Sequence, residues 1–91
     1  MVYIHLRLNV ADYGKWRAGF DAYEAQRRAA GSSGVNQIYC DLDNPGNVSL
    51  IMEWDAAERA QAFLNDPMTK QTMDDAGVTG RPSVVAVQSR M

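Results

Sequence analysis

Strict alternation between aliphatic and other side chains marks the first segment of the chain. Aliphatic residues stand at every even position from 2 to 10, and the positions between them carry Tyr3, His5, Arg7 and Asn9. A period of two places successive side chains on opposite faces of a pleated strand. The pattern therefore predicts a β-strand over residues 2–10, with the aliphatic row against a core and the other row on the opposite face.

The next segment has the spacing of an amphipathic helix with an aromatic stripe. Asp12 stands where an N-cap residue belongs, and Gly31 is expected to end the helix in a left-handed conformation before a loop over residues 32–34. Helical spacing accounts for the stripe as packing against a sheet, without a ligand. The stripe recurs at intervals of three and four and consists of Tyr13, Trp16, Phe20, Tyr23 and Arg27.

A β-hairpin is predicted in the middle of the chain. Its strands span residues 35–42 and 48–54, and the segment between them places Pro45 and Gly46 as the central pair of a tight turn. The second strand again alternates, which assigns its residues to two faces. One face carries Val48, Leu50, Met52 and Trp54, and the other carries Ser49, Ile51 and Glu53.

A second helical region follows the hairpin. Asp55 and Glu58 have the spacing of a reciprocal capping pair at a helix start. Because the following apolar residues keep a helical spacing, they are expected to turn toward the core. These residues are Ala60, Phe63 and Leu64.

Proline interrupts this region and starts its second part. Pro67 lacks the N–H that a helix interior needs but suits a first turn, so a second helical piece is expected over residues 67–76, capped by Gly77. Residues 83–88 have the β-branched composition of a last strand.

The order of strand, helix, strand, strand, helix and strand is that of the split βαβ pattern. The chain is therefore expected to be an α+β protein of the ferredoxin-like βαββαβ type, with a four-stranded antiparallel sheet and both helices on one face. Residues 1–91 leave room for a single domain. The bare sheet face carries mixed side chains, including Ile51 and Val85, and an exposed face of that kind usually meets a partner.

Composition and charge narrow the expected partners and cofactors. The formal net charge is -2 and no basic run could neutralise several phosphates, so no nucleic acid partner is expected. No apolar run approaches the ~20 residues that span a bilayer, and no signal-peptide pattern is present, which predicts a cytoplasmic protein without a membrane partner.

The sequence contains one cysteine and one histidine, and these low numbers limit the metal and redox chemistry that it can support. Cys40 and His5 supply neither a disulfide nor a cluster of metal ligands, so no metal is expected, and Cys40 is interpreted as an inert small side chain. A phosphate-binding glycine loop is absent as well, and no cofactor is expected.

Three short stretches carry a resemblance to known proteins. They are Tyr13-Gly14-Lys15-Trp16, Arg27-Arg28-Ala29-Ala30-Gly31-Ser32 and Glu53-Trp54-Asp55. The chain resembles, over nearly its whole length, the small antibiotic biosynthesis monooxygenase-like and cyclase-like proteins of the dimeric α+β barrel superfamily. This resemblance implies a homodimer in which two open sheet faces pack together and enclose a barrel.

The superfamily includes cofactor-independent monooxygenases, polyketide cyclases, lactone isomerases and heme-degrading enzymes, so the resemblance implies a fold and a range of activities. The matching stretches are a helix start, a helix end and a strand-to-helix turn. No catalytic residue is carried over on their account.

His5 is the candidate general base. If the aliphatic row of the first strand meets the helices, His5 points into the dimer barrel, where an imidazole could take a proton from an enol, a phenol or an activated methylene. A plant polyketide cyclase of the superfamily resembles the chain in this histidine but pairs it with a second one, which this sequence lacks. The alternative is a hydrogen-bonded structural histidine at the interface.

Arg7 and Glu53 are predicted to share that face, Arg7 as a candidate anion stabiliser and Glu53 as a substrate-binding residue. An isolated charge in a closed cavity is costly, so the two are expected to pair within or across subunits. Such a pair would set the register of the dimer. Alternatively, the guanidinium holds a carboxylate or enolate while His5 acts on the adjacent carbon.

Three more residues complete the predicted substrate-binding set. Tyr3 supplies a hydroxyl to the same pocket, or packs at an edge with its hydroxyl in water. Ile51 adds apolar area. Trp54 ends a strand where a cavity mouth could lie, although core packing explains it more simply.

Two functional hypotheses follow. The first is a small homodimeric, cofactor-independent monooxygenase-like or cyclase-like enzyme that acts on an aromatic or polyketide-type small molecule in the barrel cavity. The second is a non-catalytic homodimer that binds a small hydrophobic ligand or has a structural role. A cavity of roughly 300 Å³ or more reached by His5 favours the enzyme or binder, whereas a filled barrel favours the structural role.

Overall fold

The computed structural model describes residues 1–88 as four strands and four helices. Each of the two predicted helical regions is divided into two helices, and only the division at Pro67 was predicted. No helix in this part of the chain is long and apolar enough to cross a membrane. In chain order the elements are β1 (Val2–Val10), α1 (Tyr13–Ala22), α2 (Glu24–Ala30), β2 (Ser32–Cys40), β3 (Asn47–Trp54), α3 (Ala57–Asn65), α4 (Pro67–Asp75) and β4 (Val78–Gln88).

The sheet has the strand order β2-β3-β1-β4, and every neighbouring pair is antiparallel. Strand β1 is internal, with Leu6 opposite Leu50 on one side and Val84 on the other. Residues of all four helices meet the same sheet face. This arrangement confirms the predicted ferredoxin-like α+β fold.

The core lies between the sheet and the helices. It is formed by the alternate rows of β1 and β3, together with a few residues from the helices and β4. Each large apolar side chain that is fully buried contributes about 1.5–3 kcal/mol to folding. The buried set is Ile4, Leu6, Leu8, Val10, Trp16, Val48, Leu50, Met52, Trp54, Ala60 and Val78.

Both predicted turn signals are confirmed. The Asn47 N–H donates to the Asn44 carbonyl at 3.0 Å, which closes the hairpin turn around Pro45 and Gly46. Helix α4 begins at proline, and the preceding Asp66 carboxylate accepts a hydrogen bond from the backbone N–H two residues on, at 2.8 Å. These features are local, so the sequence alone was sufficient to predict them.

The first helical region is interrupted at Tyr23, which corrects the prediction of one continuous helix. Tyr23 has φ −95° and ψ 8° and separates α1 from α2. Its N–H donates to the Phe20 carbonyl at 3.2 Å, a tighter turn than an α-helix makes, and its ring packs against Phe63 at a centroid distance of 5.7 Å. A one-residue break hardly disturbs the spacing of three and four, so periodicity does not reveal it.

Strand β2 begins at Ser32, where a loop was predicted, and ends at Cys40 rather than at residue 42. Ser32 is paired with Trp54, and a register shift follows it. Gly34 lies in the shifted segment with φ 89°. A Ser-Ser-Gly sequence is typical of a loop, but the pairing to β3 holds it in the sheet as a bulge.

Strand β4 also begins earlier than the predicted residue 83. It starts at Val78, which is paired with Val10, and it includes Gly80 at φ 71°. A register irregularity in the β1–β4 pairing accompanies this glycine. The long partner strand β1 thus extends the pairing over residues that resemble a turn.

The predicted capping pair at the start of α3 is wrong. The N-cap residue is Ala56, without a side-chain capping bond. The Asp55 N–H instead donates to the Gly31 carbonyl at 3.0 Å, and its carboxylate forms an ion pair with Arg59. Because Asp55 is held at the end of the strand, the helix starts one residue later than expected.

Gly31→Ala is expected to destabilise the fold by about 3 kcal/mol or more. Gly31 has φ 134°, and a Cβ there would lie 2.5 Å from Asp55 Oδ1 and 3.2 Å from Trp54 Cε3. Strained backbone and overpacking each cost about 1–3 kcal/mol. The loss in the free energy of unfolding is measured by urea denaturation, with tryptophan fluorescence as the signal.

Gly80→Ala is the matched control for this substitution. Gly80 also has a positive φ, 71°, but no atom of residues 1–88 lies within 4 Å of the position that a Cβ would take. The free energy of unfolding of Gly80→Ala should fall by only roughly 1–2 kcal/mol, which is the cost of an alanine in the left-handed conformation. Equal losses in the two variants would refute the steric explanation for Gly31.

Candidate functional site

The sheet face away from the helices, the open face, gathers five of the six predicted site residues. Tyr3 is directly opposite Glu53, and His5 is directly opposite Ile51, while Arg7 follows on the same side of β1. Strand β4 adds valines beside them, since Val85 pairs with His5 and Val87 with Tyr3. Alternation within β1 and β3, together with the expected pairing of these two strands, was therefore sufficient to bring the five residues together.

Trp54 does not belong to this group. Its side chain is fully buried on the helix side of the sheet, where it packs against Phe63 at a centroid distance of 5.4 Å. The indole Nε1 is buried and has no hydrogen-bond partner among residues 1–88. Trp54 therefore cannot line a cavity on the open face with the other predicted residues.

His5 is half-buried in an apolar part of the open face. Its neighbours across the two adjacent strands are Ile51 and Val85. The Nε2 atom is buried and, within the described part of the chain, forms no hydrogen bond. The alternative of a histidine hydrogen-bonded within its own chain through Nε2 is thus not observed.

Arg7 forms its ion pair with Asp41, so the predicted pairing with Glu53 inside the chain is wrong. The two terminal guanidinium nitrogens lie 3.0 and 3.1 Å from the two Asp41 oxygens, and Nη1 also lies 2.6 Å from Ser49 Oγ. Ser49 is directly opposite Arg7, whereas Glu53 lies four residues further along β3, about 13 Å away along the strand. A pairing of Arg7 with Glu53 across subunits stays a prediction.

The Arg7–Asp41 pair changes the pKa of its carboxylate. Hydrogen bonding to Arg7 is the main cause of a lowered pKa at Asp41, with a smaller contribution from Asn47. Both members of the pair are partly exposed, with side-chain exposures of 45% and 33%. The guanidinium is therefore already occupied by a carboxylate, which would have to be displaced before Arg7 bound an anionic substrate.

A cleft opens on the other side of the sheet, between β1, β4 and the helices. It consists of three adjoining cavities, all lined by Leu64. The inner cavity, of about 60 Å³, lies against the aromatic stripe of α1. A groove of about 600 Å³ runs between α4 and the first half of β4, and a third space of about 250 Å³ lies between α3 and β4.

The cleft exists because the helices do not cover β4. Val84 and Ala86 pair with Leu6 and Ile4, so they point to the helix side of the sheet. The residues of β1 in these pairs are buried, whereas Val84 is 50% exposed and Ala86 is exposed as well. The uncovered part of β4 forms one wall of the cleft.

Among residues 1–88, Arg27 is the one charged residue that lines the inner cavity, and this role was missed in the sequence. The residue is 4% exposed, its Nη1–H donates to the Phe20 carbonyl at 2.6 Å, and its Cζ lies 3.6 Å from the centroid of the Phe20 ring. Burial lowers the pKa of Arg27, and the carboxylates of Glu24 and Asp21 oppose that shift. The signal was a guanidinium at the end of an otherwise aromatic stripe.

The single cysteine and the carboxylates do not form a metal site in the described part of the chain. Cys40 is a free thiol, exposed at the end of β2. Among residues 1–88, no three His, Cys, Asp or Glu side chains lie close enough together to hold a metal ion.

No protein-family model and no curated protein matches the sequence. Solved structures match it over almost its whole length. An antibiotic biosynthesis monooxygenase-like protein of Bordetella bronchiseptica is 14% identical with a TM-score of 0.77, covering 99% of this chain and 97% of that one. SnoaB, a cofactor-independent oxygenase from Streptomyces nogalater, is 17% identical with a TM-score of 0.70, covering 99% and 93%.

The chain has the fold of the antibiotic biosynthesis monooxygenases. A third similar structure, from Deinococcus radiodurans, is 19% identical with a TM-score of 0.67 and covers 100% of this chain and 94% of that one. At these identities the likeness is one of fold. It confirms, at that level, the resemblance found in the sequence.

Asp41→Asn is expected to reduce the loss of stability in acid. Because Arg7 lowers the folded-state pKa of Asp41, the pair stabilises the protein above the unfolded carboxyl pKa of about 3.9 and loses that effect as the pH falls through the lower folded value. Urea midpoints measured between about pH 5 and pH 2 should fall less steeply in the variant.

Asp43→Asn is the control for this experiment. Asp43 is exposed two residues further on and forms no ion pair within the described residues. It should keep the wild-type acid slope. The same slope in Asp41→Asn and wild type would show that the pair with Arg7 does not couple to folding.

Proposed function

We propose that the protein is a homodimeric, cofactor-independent monooxygenase-like or cyclase-like enzyme, and that it acts on an aromatic or polyketide-type small molecule held in the cleft. The observation that carries the proposal is the cleft itself, an apolar cavity with aromatic walls that continues into a larger groove. The similarity in fold to SnoaB, a cofactor-independent oxygenase, supports the reaction class.

The cleft is preferred over the open face as the substrate site for two reasons. It is present within a single chain, with a combined extent in the range of about 300–1,000 Å³ that small-molecule pockets occupy. Its inner end is walled by rings, with Trp16 and Phe20 stacked at a centroid distance of 5.2 Å. His5, by contrast, lines none of the three cavities.

Oxygenation without a cofactor requires few catalytic groups from the protein when the substrate is an electron-rich phenol or enol. The substrate anion reduces O2, a carbon–oxygen bond forms, and the hydroperoxide then loses water as its O–O bond breaks. One oxygen atom stays in the resulting quinone and the other leaves as water, so the substrate supplies every electron. The walls of the cleft contribute by excluding water from the reactive intermediate.

The dimer is part of the proposal because the open face has the character of an interface. Val85 and Val87 are 52% and 48% exposed there, next to the half-buried His5 and Ile51. A chain of this length buries only about 60–65% of its unfolded surface by itself, so covering this face would add stability. The exposed free thiol of Cys40 is compatible with a reducing compartment, and we place the protein in the cytoplasm.

A second candidate function is non-catalytic binding of a small hydrophobic ligand. One observation favours it: in the described part of the chain, the wall of the inner cavity includes neither a carboxylate nor a histidine that could serve as a general base. His5 becomes the base only if the substrate lies instead in a barrel between two open faces. Substitutions of Met73 and His5 separate these possibilities.

Val85→Asp is expected to dissociate the dimer, because it would bury an unpaired carboxylate between two open faces. Light scattering at micromolar concentration should give twice the chain mass for the wild type and the chain mass for the variant. Val84→Asp is the matched control, since the neighbouring residue is equally exposed but faces the cleft. A monomeric wild type would remove the dimer from the proposal.

Met73→Trp is expected to abolish ligand binding and turnover by filling the junction of the inner cavity and the groove, both of which Met73 lines. Candidate ligands are phenolic and β-keto compounds, assayed by calorimetry and by O2 consumption. Gln71→Trp places the same indole on the exposed side of α4 and should retain both activities.

His5→Ala, tested in the same assays with the dimer verified, locates the reaction. Unchanged turnover supports the cleft. A loss of about 100-fold with the dimer intact would assign general-base work to His5 and move the reaction to the barrel. Binding without O2 consumption or any product would leave non-catalytic ligand binding as the function.

A further inference from the structure

Arg27 keeps one hydrogen-bond donor without a partner in the interior of the protein. Its Nη1–H is bound to the Phe20 carbonyl, and its guanidinium lies over the Phe20 ring. The Nε atom is buried and has no partner among residues 1–88. A buried donor left unsatisfied costs about 1–3 kcal/mol, and more when it belongs to a charged group.

The contacts that Arg27 makes among residues 1–88 leave its charge without a paired carboxylate. The Phe20 carbonyl lies at the break between α1 and α2, but it already accepts the Tyr23 N–H at 3.2 Å, so the helix end is capped without Arg27. No carboxylate within residues 1–88 forms an ion pair with Arg27, although Glu24 and Asp21 are near enough to act on it electrostatically. An apolar side chain of similar length would fill the same space without burying a charge.

We infer that the inner cavity receives an anionic oxygen of an aromatic or conjugated ligand, and that the guanidinium of Arg27 binds this oxygen. This inference rests on the proposed function, because it identifies the substrate class of the same cleft. The ligand is an acidic phenol, an enolised β-diketone or an aromatic carboxylate, and Arg27 selects it over neutral compounds of the same shape.

The dimensions of the cleft agree with this mode of binding. The inner cavity, of about 60 Å³, is larger than the ~10–15 Å³ that one water needs and smaller than a complete ligand pocket. It fits the oxygen-bearing end of a ligand. The rest of the molecule would lie in the groove of about 600 Å³, which shares Leu6, Leu64 and Met73 with the cavity.

The groove adds further cationic character at the entrance. Lys70 and Arg81 line it together with one carboxylate, Asp74. These groups are exposed, so solvent screens them and they serve to attract an anion rather than to select it. Selection is left to Arg27, whose interaction with an anion is strengthened by the low dielectric of the apolar cavity.

A bound phenol reports this interaction directly. A guanidinium next to the oxygen favours the phenolate and lowers the pKa of the ligand, whereas an apolar cavity without a cation favours the neutral phenol and raises it. The direction of the shift therefore distinguishes an anion site from a merely hydrophobic one. In the proposed reaction the same effect would supply the substrate anion without a general base.

The experiment uses para-nitrophenol, whose phenol and phenolate forms absorb at different wavelengths, and its neutral methyl ether para-nitroanisole. Binding of both compounds to the full-length protein is measured by calorimetry, and the bound nitrophenol is titrated by absorbance. In the wild type, the phenolate-to-phenol ratio of the bound probe should exceed that of the free probe by about tenfold or more.

Arg27→Met is expected to reverse the shift, so that the ratio falls below that of the free probe. Arg27→Lys retains the charge without the planar guanidinium and should give an intermediate ratio, which keeps the test decisive if the methionine variant does not fold. Arg28→Met is the matched control, because Arg28 is the exposed neighbour on the same helix, and it should behave as the wild type. Melting temperatures are measured in parallel.

The outcomes separate this inference from the proposed function. If the wild type binds both probes but holds nitrophenol in its neutral form, the cleft is a ligand site and the anion inference is wrong. The anion inference is equally wrong if Arg27→Met keeps the wild-type ratio. If the wild type binds neither probe, the cleft does not take small aromatic ligands, and the proposed function falls together with the inference.

Discussion

The strict alternation of β1 is the constraint on which the rest of the structure depends. The strand is paired along both edges, to β3 and to β4. A slip by one residue would turn its aliphatic row out of the core and bring His5 and Arg7 into it. Because such a slip is prohibitively costly, the register of the two neighbouring strands is set as well. One strand therefore decides which face of the sheet the helices cover and which face stays open.

Sequence was sufficient for the fold wherever the determining interactions are local. The alternation of β1, the Pro45-Gly46 turn and the helix start at Pro67 each depend on a few adjacent residues, and each was predicted correctly. The starts of β2 and β4 were not, because both strands contain a glycine with positive φ. Whether such a segment is a loop or a bulged strand depends on the partner strand, which lies far away in sequence.

The site was predictable to the extent that it follows from alternation. That rule placed Tyr3, His5 and Arg7 on one face, and applied to β3 it also separates Trp54 from Glu53. The partner of Arg7 required more, namely the strand order and the register that bring Asp41 within reach. The helical stripe already placed Arg27 on the buried side, but its contacts with the Phe20 carbonyl and ring and its place in the wall of the inner cavity required the tertiary structure. Tertiary contacts, not local patterns, decided both of these cases.

Strand β4 connects the two surfaces that the proposals use. Its odd residues, Val85 and Val87, belong to the open face, and its even residues, Val84 and Ala86, form a wall of the cleft. As an edge strand uncovered by helices, it is held mainly by its pairing to β1. A second subunit packed on the open face would restrain this strand and, through it, the width of the cleft. In the proposed dimer, the interface and the wall of the cleft therefore share one strand.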